Sequence, residues 1–179
     1  MLIGLTGNKR SGKNTVADML PPHFSQVAFA DTIKEIIRVC YCVEEPEDKE
    51  ALLKDKALYP YFGSKVTYRL IMQTLGQELK QHNPNIFIDA VRSKIQSNTI
   101  VTDVRFDNEA KFIKENKGII IKINKNTGLV DNDISEAGIS PNFIDFFIDN
   151  NSTREQLQIE VDNLYKRLTT LAKFSTHNI

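Results

Sequence analysis

Leu2-Ile3-Gly4-Leu5-Thr6, then Gly7-Asn8-Lys9-Arg10-Ser11-Gly12-Lys13-Asn14-Thr15, then Val16-Ala17-Asp18-Met19-Leu20: this stretch decides how the chain is read. An apolar run, a polar loop bounded by glycines and a helical pattern follow one another. The loop has the spacing G-x-x-x-x-G-K. Asn14 stands where Ser or Thr is usual, and Thr15 follows. That is a phosphate-binding loop with one substitution. Gly7 and Gly12 permit positive φ and let the backbone approach phosphate oxygens. Successive N–H groups and the positive end of the next helix form an anion cradle, and Lys13 can reach terminal phosphates. Ser11, Asn14 and Thr15 complete the loop as nucleotide contacts. Lys9 and Arg10 add two cations, useful wherever many phosphate charges meet; one of them facing solvent is the plainer alternative. A chance Gly-Lys turn would not explain the order of strand, loop and helix.

Outward from the loop, Pro21-Pro22 ends the first helix. Gln26–Ala30 reads as a second buried strand, and Asp31 as the N-cap of a helix through Ile33, Ile36, Ile37 and Cys40. Glu44–Asp55 is a charged excursion, and Tyr59–Gly63 an aromatic loop. Ser64 or Thr67 begins a helix with Leu70, Ile71, Thr74 and Leu75 on one face. Another helix follows Pro84, carrying Ile86, Phe87, Ala90, Val91 and Ile95. Thr99–Thr102 is a third strand, ending at Asp103. Asn108–Asn116 is a helix closed by Gly118, and Ile119–Ile123 a fourth strand. The Asn/Gly/Asp-rich segment 124–142 is the lid candidate. Phe143–Ile148 is a fifth strand. Asn151-Ser152 caps a last helix with Leu157, Val161, Leu164, Leu168 and Leu171 at helical spacing, and the tail from Lys173 frays.

Short apolar strands alternating with helices specify an α/β fold: a five-stranded, mostly parallel sheet with helices on both faces and a short lid. The expectation is one domain over 1–179, with a substrate-binding excursion at about 44–82. Ligands in such sheets sit at the carboxyl ends of the strands, so the loop after the first strand, Asp103 and the segment after the fourth strand converge.

Apolar residues are 41% and charged residues 26% of the chain, which suits a globular domain with a core. Lys plus Arg and Asp plus Glu each total 23, and this balance argues against non-specific nucleic-acid binding. No run is long enough for a membrane span, and the start reads as strand and loop, not as a signal peptide. Cys40 and Cys42 have C-x-C spacing but no other cysteine to join them, and His23, His82 and His177 are scattered. They read as free thiols in a reducing cytoplasm, the host's if the source is viral.

Asp103 ends an apolar strand, where a carboxylate can hold magnesium directly or through water; a turn or capping aspartate is the alternative. Arg105 leaves the same strand end and suits a substrate phosphate, with a surface ion pair as the alternative. Arg69 and Gln73 are four apart and share a helix face. They suit a phosphate and a base edge of one nucleotide, or simply a solvated face.

Five blocks together resemble the deoxynucleoside monophosphate kinases of tailed phages and related viruses: Gly7–Thr15, Phe29-Ala30-Asp31-Thr32-Ile33-Lys34-Glu35, Arg69–Glu78, Asp103-Val104-Arg105-Phe106-Asp107-Asn108-Glu109, and Asp131-Asn132-Asp133-Ile134-Ser135-Glu136. The resemblance implies a three-layer P-loop kinase fold and transfer of the γ-phosphate of ATP to a deoxynucleoside monophosphate, with Mg2+. It assigns Lys13 and the loop amides to ATP, with Arg10, Asp103 and Arg105 at the reacting phosphates. Asp103 and Asn14 fall in the metal region. Asp31, Lys34, Arg69, Gln73, Arg105 and Glu136 fall around the acceptor. Nucleotides are the implied partners, and a homodimer stays open. The chain departs from the family pattern at Asn14, where an acid is common, at Gln77 in the third block and Gln81 three residues past its end, where Thr and Arg are usual, and at Asp133, where a His is common. Competing readings are a kinase of another small acceptor, or a nucleotide-binding regulator without transfer.

Overall fold

A computed structural model describes residues 1–41, 66–126 and 138–175. Its elements are β1 (Leu2–Thr6), α1 (Lys13–Met19), β2 (Ser25–Val27), α2 (Asp31–Tyr41), α3 (Tyr68–His82), α4 (Ile86–Arg92), β3 (Thr99–Val101), α5 (Asp107–Glu115), β4 (Ile119–Asn124), a 3-10 turn Pro141–Phe143, β5 (Phe146–Asp149) and α6 (Arg154–Ser175). The chain divides into two compact units: Met1–Ala28 with Lys94–Ile179, and Phe29–Ser93.

The first unit is built on a five-stranded sheet in the order β2-β3-β1-β4-β5, and every neighbouring pair is parallel. β1 lies at the centre and is buried along its whole length, as a strand covered on both faces must be. Its side chains alternate between two layers. Ile3 and Leu5, with Ile121 and Ile123, join a core with Val16 and Ala17 of α1 and Leu157, Val161, Leu164 and Leu168 of α6. Gly4 faces the other way: a Cβ there would meet Val104, Ile113 and Ile120 at 3.0–3.4 Å. Ile113 belongs to α5, so helices cover both faces, the layering of a P-loop kinase fold. Each large aliphatic side chain buried in these layers contributes about 1.5–3 kcal/mol.

The carboxyl ends of β3, β1 and β4 lie side by side. Val104 N–H donates to Leu5 O at 3.0 Å, and Thr102 N–H to Val27 O at 3.0 Å, so the chain beyond β3 stays bound to both neighbours as it leaves the sheet.

The second unit is helical where it is described. Ile33 and Ile37 of α2, Tyr68 and Ile71 of α3, and Phe87, Ile88 and Val91 of α4 are buried. Gly76 of α3 packs on Ile33: a Cβ there would lie 3.1 Å from Ile33 Cδ1. Lys80 sits 5.4 Å from the Phe87 ring centroid.

Several expectations need correction. The second strand is Ser25–Val27, and Ala28–Ala30 already turn toward α2, whose first bond is Lys34 N–H to Ala30 O. Asp31 is therefore the first residue of the helix and not its cap. Thr67 does cap α3, accepting from Leu70 N–H at 3.0 Å. The buried face of α3 is Tyr68, Ile71 and Gly76, while Leu70 and Thr74 are exposed, because the side chain that anchors the face is Tyr68 and Leu70 lies two residues off it. α4 stops at Arg92, leaving Ile95 outside. Lys117, not Gly118, takes the left-handed position after α5, with φ 57°. Gly118 N–H bonds Ile113 O and Lys117 N–H bonds Lys114 O, a Schellman closure. β5 begins at Phe146, since Pro141–Phe143 wind into the 3-10 turn. Thr153 caps α6 in place of Asn151-Ser152, and Leu171 is exposed. α6 runs to Ser175, past the expected fraying point. The excursion 44–55, the loop 59–63, Ser64, Cys42, His177 and the lid candidate's 127–137 lie outside the described residues.

Candidate functional site

The Gly7–Thr15 loop leaves the carboxyl end of the central strand. Its path needs three left-handed residues: Gly7 at φ 142°, Arg10 at φ 63° and Gly12 at φ 95°. A Cβ at Gly7 would lie 2.5 Å from Ile123 O and 2.7 Å from Ser11 Oγ, so both space and conformation exclude a side chain there. Ser11 N–H bonds Asn8 O at 3.0 Å, closing a turn with Arg10 in its third position. A non-glycine there costs about 1–2 kcal/mol, strain typical of functional loops. Arg10 is exposed and Lys9 half-buried.

Lys13 folds back over the loop, and Nζ donates to Gly7 O at 2.7 Å and Asn8 O at 3.0 Å. Its ammonium thus sits on the loop it would serve, held by carbonyls that an anion could replace. Ser11 is fully buried, and its Oγ has no hydrogen-bond partner. A phosphate suits this donor set: a loop whose glycines leave no room for side chains, a cation lying on it and a buried hydroxyl without a partner. α1 is short, so an anion bound here would rest on loop amides and Lys13 more than on a helix dipole.

Asp103 and Arg105 follow β3, next to β1 in the sheet, and both are half-buried. Their backbone is shaped by a residue the sequence reading did not single out. Glu109 is buried, and its Oε2 accepts Arg105 N–H at 2.8 Å and Phe106 N–H at 3.1 Å. Phe106 is the N-cap of α5 and has no side-chain acceptor, so Glu109 supplies the reciprocal half of a capping box alone. The carboxylate three residues past the cap was the available signal.

One residue on, Asp107 accepts Ser140 N–H at 2.7 Å and also Ser140 Oγ–H, which ties the chain after the lid candidate to the start of α5. These bonds favour the carboxylate and hold Asp107 below its ordinary value of 3.8. Asp145 ties α5 to β4 by contacts alone: it pairs with Lys114 Nζ at 2.7 Å and accepts Ile120 N–H at 2.7 Å.

In the helical unit, Arg69 and Gln73 lie one turn apart on α3, half-buried. Asp31 and Lys34 form an ion pair at 3.3 Å within the first turn of α2, which gives each a partner other than a substrate. Glu136 and the rest of block 131–136 lie outside the described residues. Cys40 is a free, exposed thiol. Among the described residues, no group of three or more His, Cys, Asp or Glu could hold a metal, and no helix is long and apolar enough to cross a membrane. Magnesium does not need such a group, because it keeps several waters and takes one or two carboxylates beside substrate phosphates.

Comparison with known proteins adds the chemistry. The sequence profile of the deoxynucleotide monophosphate kinases matches residues 61–161. The match spans Arg69, Asp103 and Arg105 and leaves out the Gly7–Thr15 loop. A curated protein of Acanthamoeba polyphaga mimivirus, named "Putative deoxynucleotide monophosphate kinase", is 28% identical over 182 residues, covering 90% of this chain and 94% of its own length.

Proposed function

The chain belongs to the deoxynucleotide monophosphate kinase family, and on that premise we propose how its own residues divide the reaction. The enzyme transfers a phosphoryl group to a deoxynucleoside monophosphate, and as a kinase it takes that group from ATP. One observation carries the division of labour. The loop holding Lys13 leaves the central strand, and Asp103 and Arg105 leave the strand beside it, so donor and acceptor phosphates can meet at one sheet edge.

In this reading the loop amides and Lys13 bind the β- and γ-phosphates of ATP. Lys13 gives up its bonds to Gly7 O and Asn8 O for phosphate oxygens. Lys9, Ser11, Asn14 and Thr15 line the same nucleotide, and Arg10 approaches once the acceptor arrives. Little covalent work is needed in phosphoryl transfer, so rate comes from in-line positioning and charge compensation. Asp103 and Asn14 are the side chains that would hold magnesium, which when bound neutralises charge on the transferring group. Arg105 and Arg69 compensate the acceptor's phosphate, since a guanidinium binds phosphate bidentately and keeps its charge. Gln73 reads the base edge.

The test is ADP release measured with each deoxynucleoside monophosphate in turn. Lys13→Ala should lower turnover on the order of 10²-fold or more. Arg69→Lys and Arg105→Lys should each raise KM for the monophosphate or lower its turnover, with KM for ATP little changed. Equal, small effects on both nucleotides would mean that the acceptor is bound elsewhere.

A further inference from the structure

One side chain from far along the chain reaches the phosphate loop. Asn150, the residue after β5, donates from Nδ2 to Ser11 O at 2.8 Å, across 139 positions of sequence. Its backbone is fixed as well, since Asn150 N–H donates to Asn124 O at 2.8 Å. Its neighbours make bonds of their own, none of them to the Asn150 side chain. Asn151 donates from N and Nδ2 to Asp149 Oδ1, Asn126 N–H donates to Asn151 Oδ1 at 2.8 Å, and Asp149 N–H donates to Glu160 Oε2 at 3.1 Å. The same Asn150 amide stands where a side chain at Gly12 would go: a Cβ there would lie 2.3 Å from Nδ2.

The bonded carbonyl belongs to the peptide between Ser11 and Gly12. A trans peptide is planar, and its C=O and N–H point in opposite directions. Fixing Ser11 O against Asn150 therefore aims Gly12 N–H away from Asn150, on the other side of the peptide. Glycine at position 12 makes this peptide easy to flip, because both signs of φ are open to it. A flip would turn a carbonyl where the amide had been and spoil an anion site.

We propose that Asn150 is a positioning residue for phosphoryl transfer: it clamps the Ser11 carbonyl and so holds the Gly12 amide in the orientation that receives the phosphates of ATP. This rests on the reading of Gly7–Thr15 as the phosphate loop.

The test compares ATP affinity, by calorimetry without acceptor, in Asn150→Ala, Asn150→Asp, Asn151→Ala and Lys13→Ala. Turnover is followed with an equimolar mixture of the four deoxynucleoside monophosphates. Asn150→Ala should weaken ATP binding roughly 10-fold, the scale of one hydrogen bond. KM for the monophosphates should change less than about 2-fold in the same variant. Asn150→Asp is isosteric, and at neutral pH it sets a carboxylate against a carbonyl, so it should be the worse of the two. Acidification protonates the introduced carboxyl and restores a donor. The ratio of its ATP Kd to that of the wild type should then fall with pH, while the ratio for Asn150→Ala stays flat. Asn151→Ala loosens the same corner without touching the loop and should bind ATP as the wild type does. Unchanged ATP affinity in both Asn150 variants beside a defective Lys13→Ala would overturn the clamp alone, as would an equal loss in Asn151→Ala. An unaffected Lys13→Ala would overturn the phosphate-loop reading and the clamp with it.

Discussion

Glu109→Ala should destabilise the protein and disturb the site at once. Glu109 is 4% exposed, and its carboxylate accepts two backbone N–H groups, Arg105 at 2.8 Å and Phe106 at 3.1 Å, through one oxygen. Bonds to a charged acceptor contribute about 1.5–3 kcal/mol each, and truncation strands two donors in a part-buried turn, with water entering the space as a partial offset. A net cost of about 2–4 kcal/mol follows. For a protein of this size each kcal/mol lowers Tm by about 2–4 °C, so the expected fall is roughly 5–15 °C. Glu109→Gln keeps a carbonyl oxygen that can take both bonds at about half the strength, so its loss should be near half. Thermal unfolding by circular dichroism reads the first effect. Steady-state kinetics with the monophosphate varied reads the second, as a raised KM when the backbone of Arg105 loosens. A Glu109→Ala melting point within about 1 °C of wild type, or a Glu109→Gln loss as large as the alanine's, would refute the argument.

Gly7→Ala should abolish activity and lower Tm in the same unfolding experiment, since its Cβ would meet Ile123 O at 2.5 Å on a strand that cannot retreat. Lys117→Gly should raise stability by about 0.5–1 kcal/mol, because Lys117 sits at φ 57° where a Cβ is a liability; chemical denaturation checks it. Asp107 has a pKa below its ordinary value because Ser140 donates to it twice, so its contribution is present above 3.8 and is lost as the pH falls through the lowered pKa. The Tm difference between wild type and Asp107→Asn should accordingly shrink on acidification, and a difference that grows would contradict the sign.

The parts of this protein legible in its sequence are those decided within a few residues. β1, the glycine loop and α1 are local: apolar run, turn chemistry and Pro21-Pro22 lie within twenty-two positions. The strands beside β1 were visible for the same reason, as short apolar runs ended by polar residues. Faces of helices were harder, because periodicity gives a stripe and not its phase. On α3 a buried Tyr68 sets the phase, and it leaves Leu70 exposed. Ends of helices turned on which of several competent residues won, as with Thr153 over Ser152 and Lys117 over Gly118. What no local reading could reach is the support of the site. Asp149-Asn150-Asn151 looks like turn residues of any kind, and nothing in that tripeptide says that one amide closes on Ser11, 139 residues earlier. That contact exists because the parallel sheet sets the ends of β1, β4 and β5 along one edge. Register thus converts an unremarkable asparagine into a neighbour of the Gly7–Thr15 loop. The residues proposed to carry charge to a substrate come from motifs, whereas those that hold the motifs in shape are specified by topology.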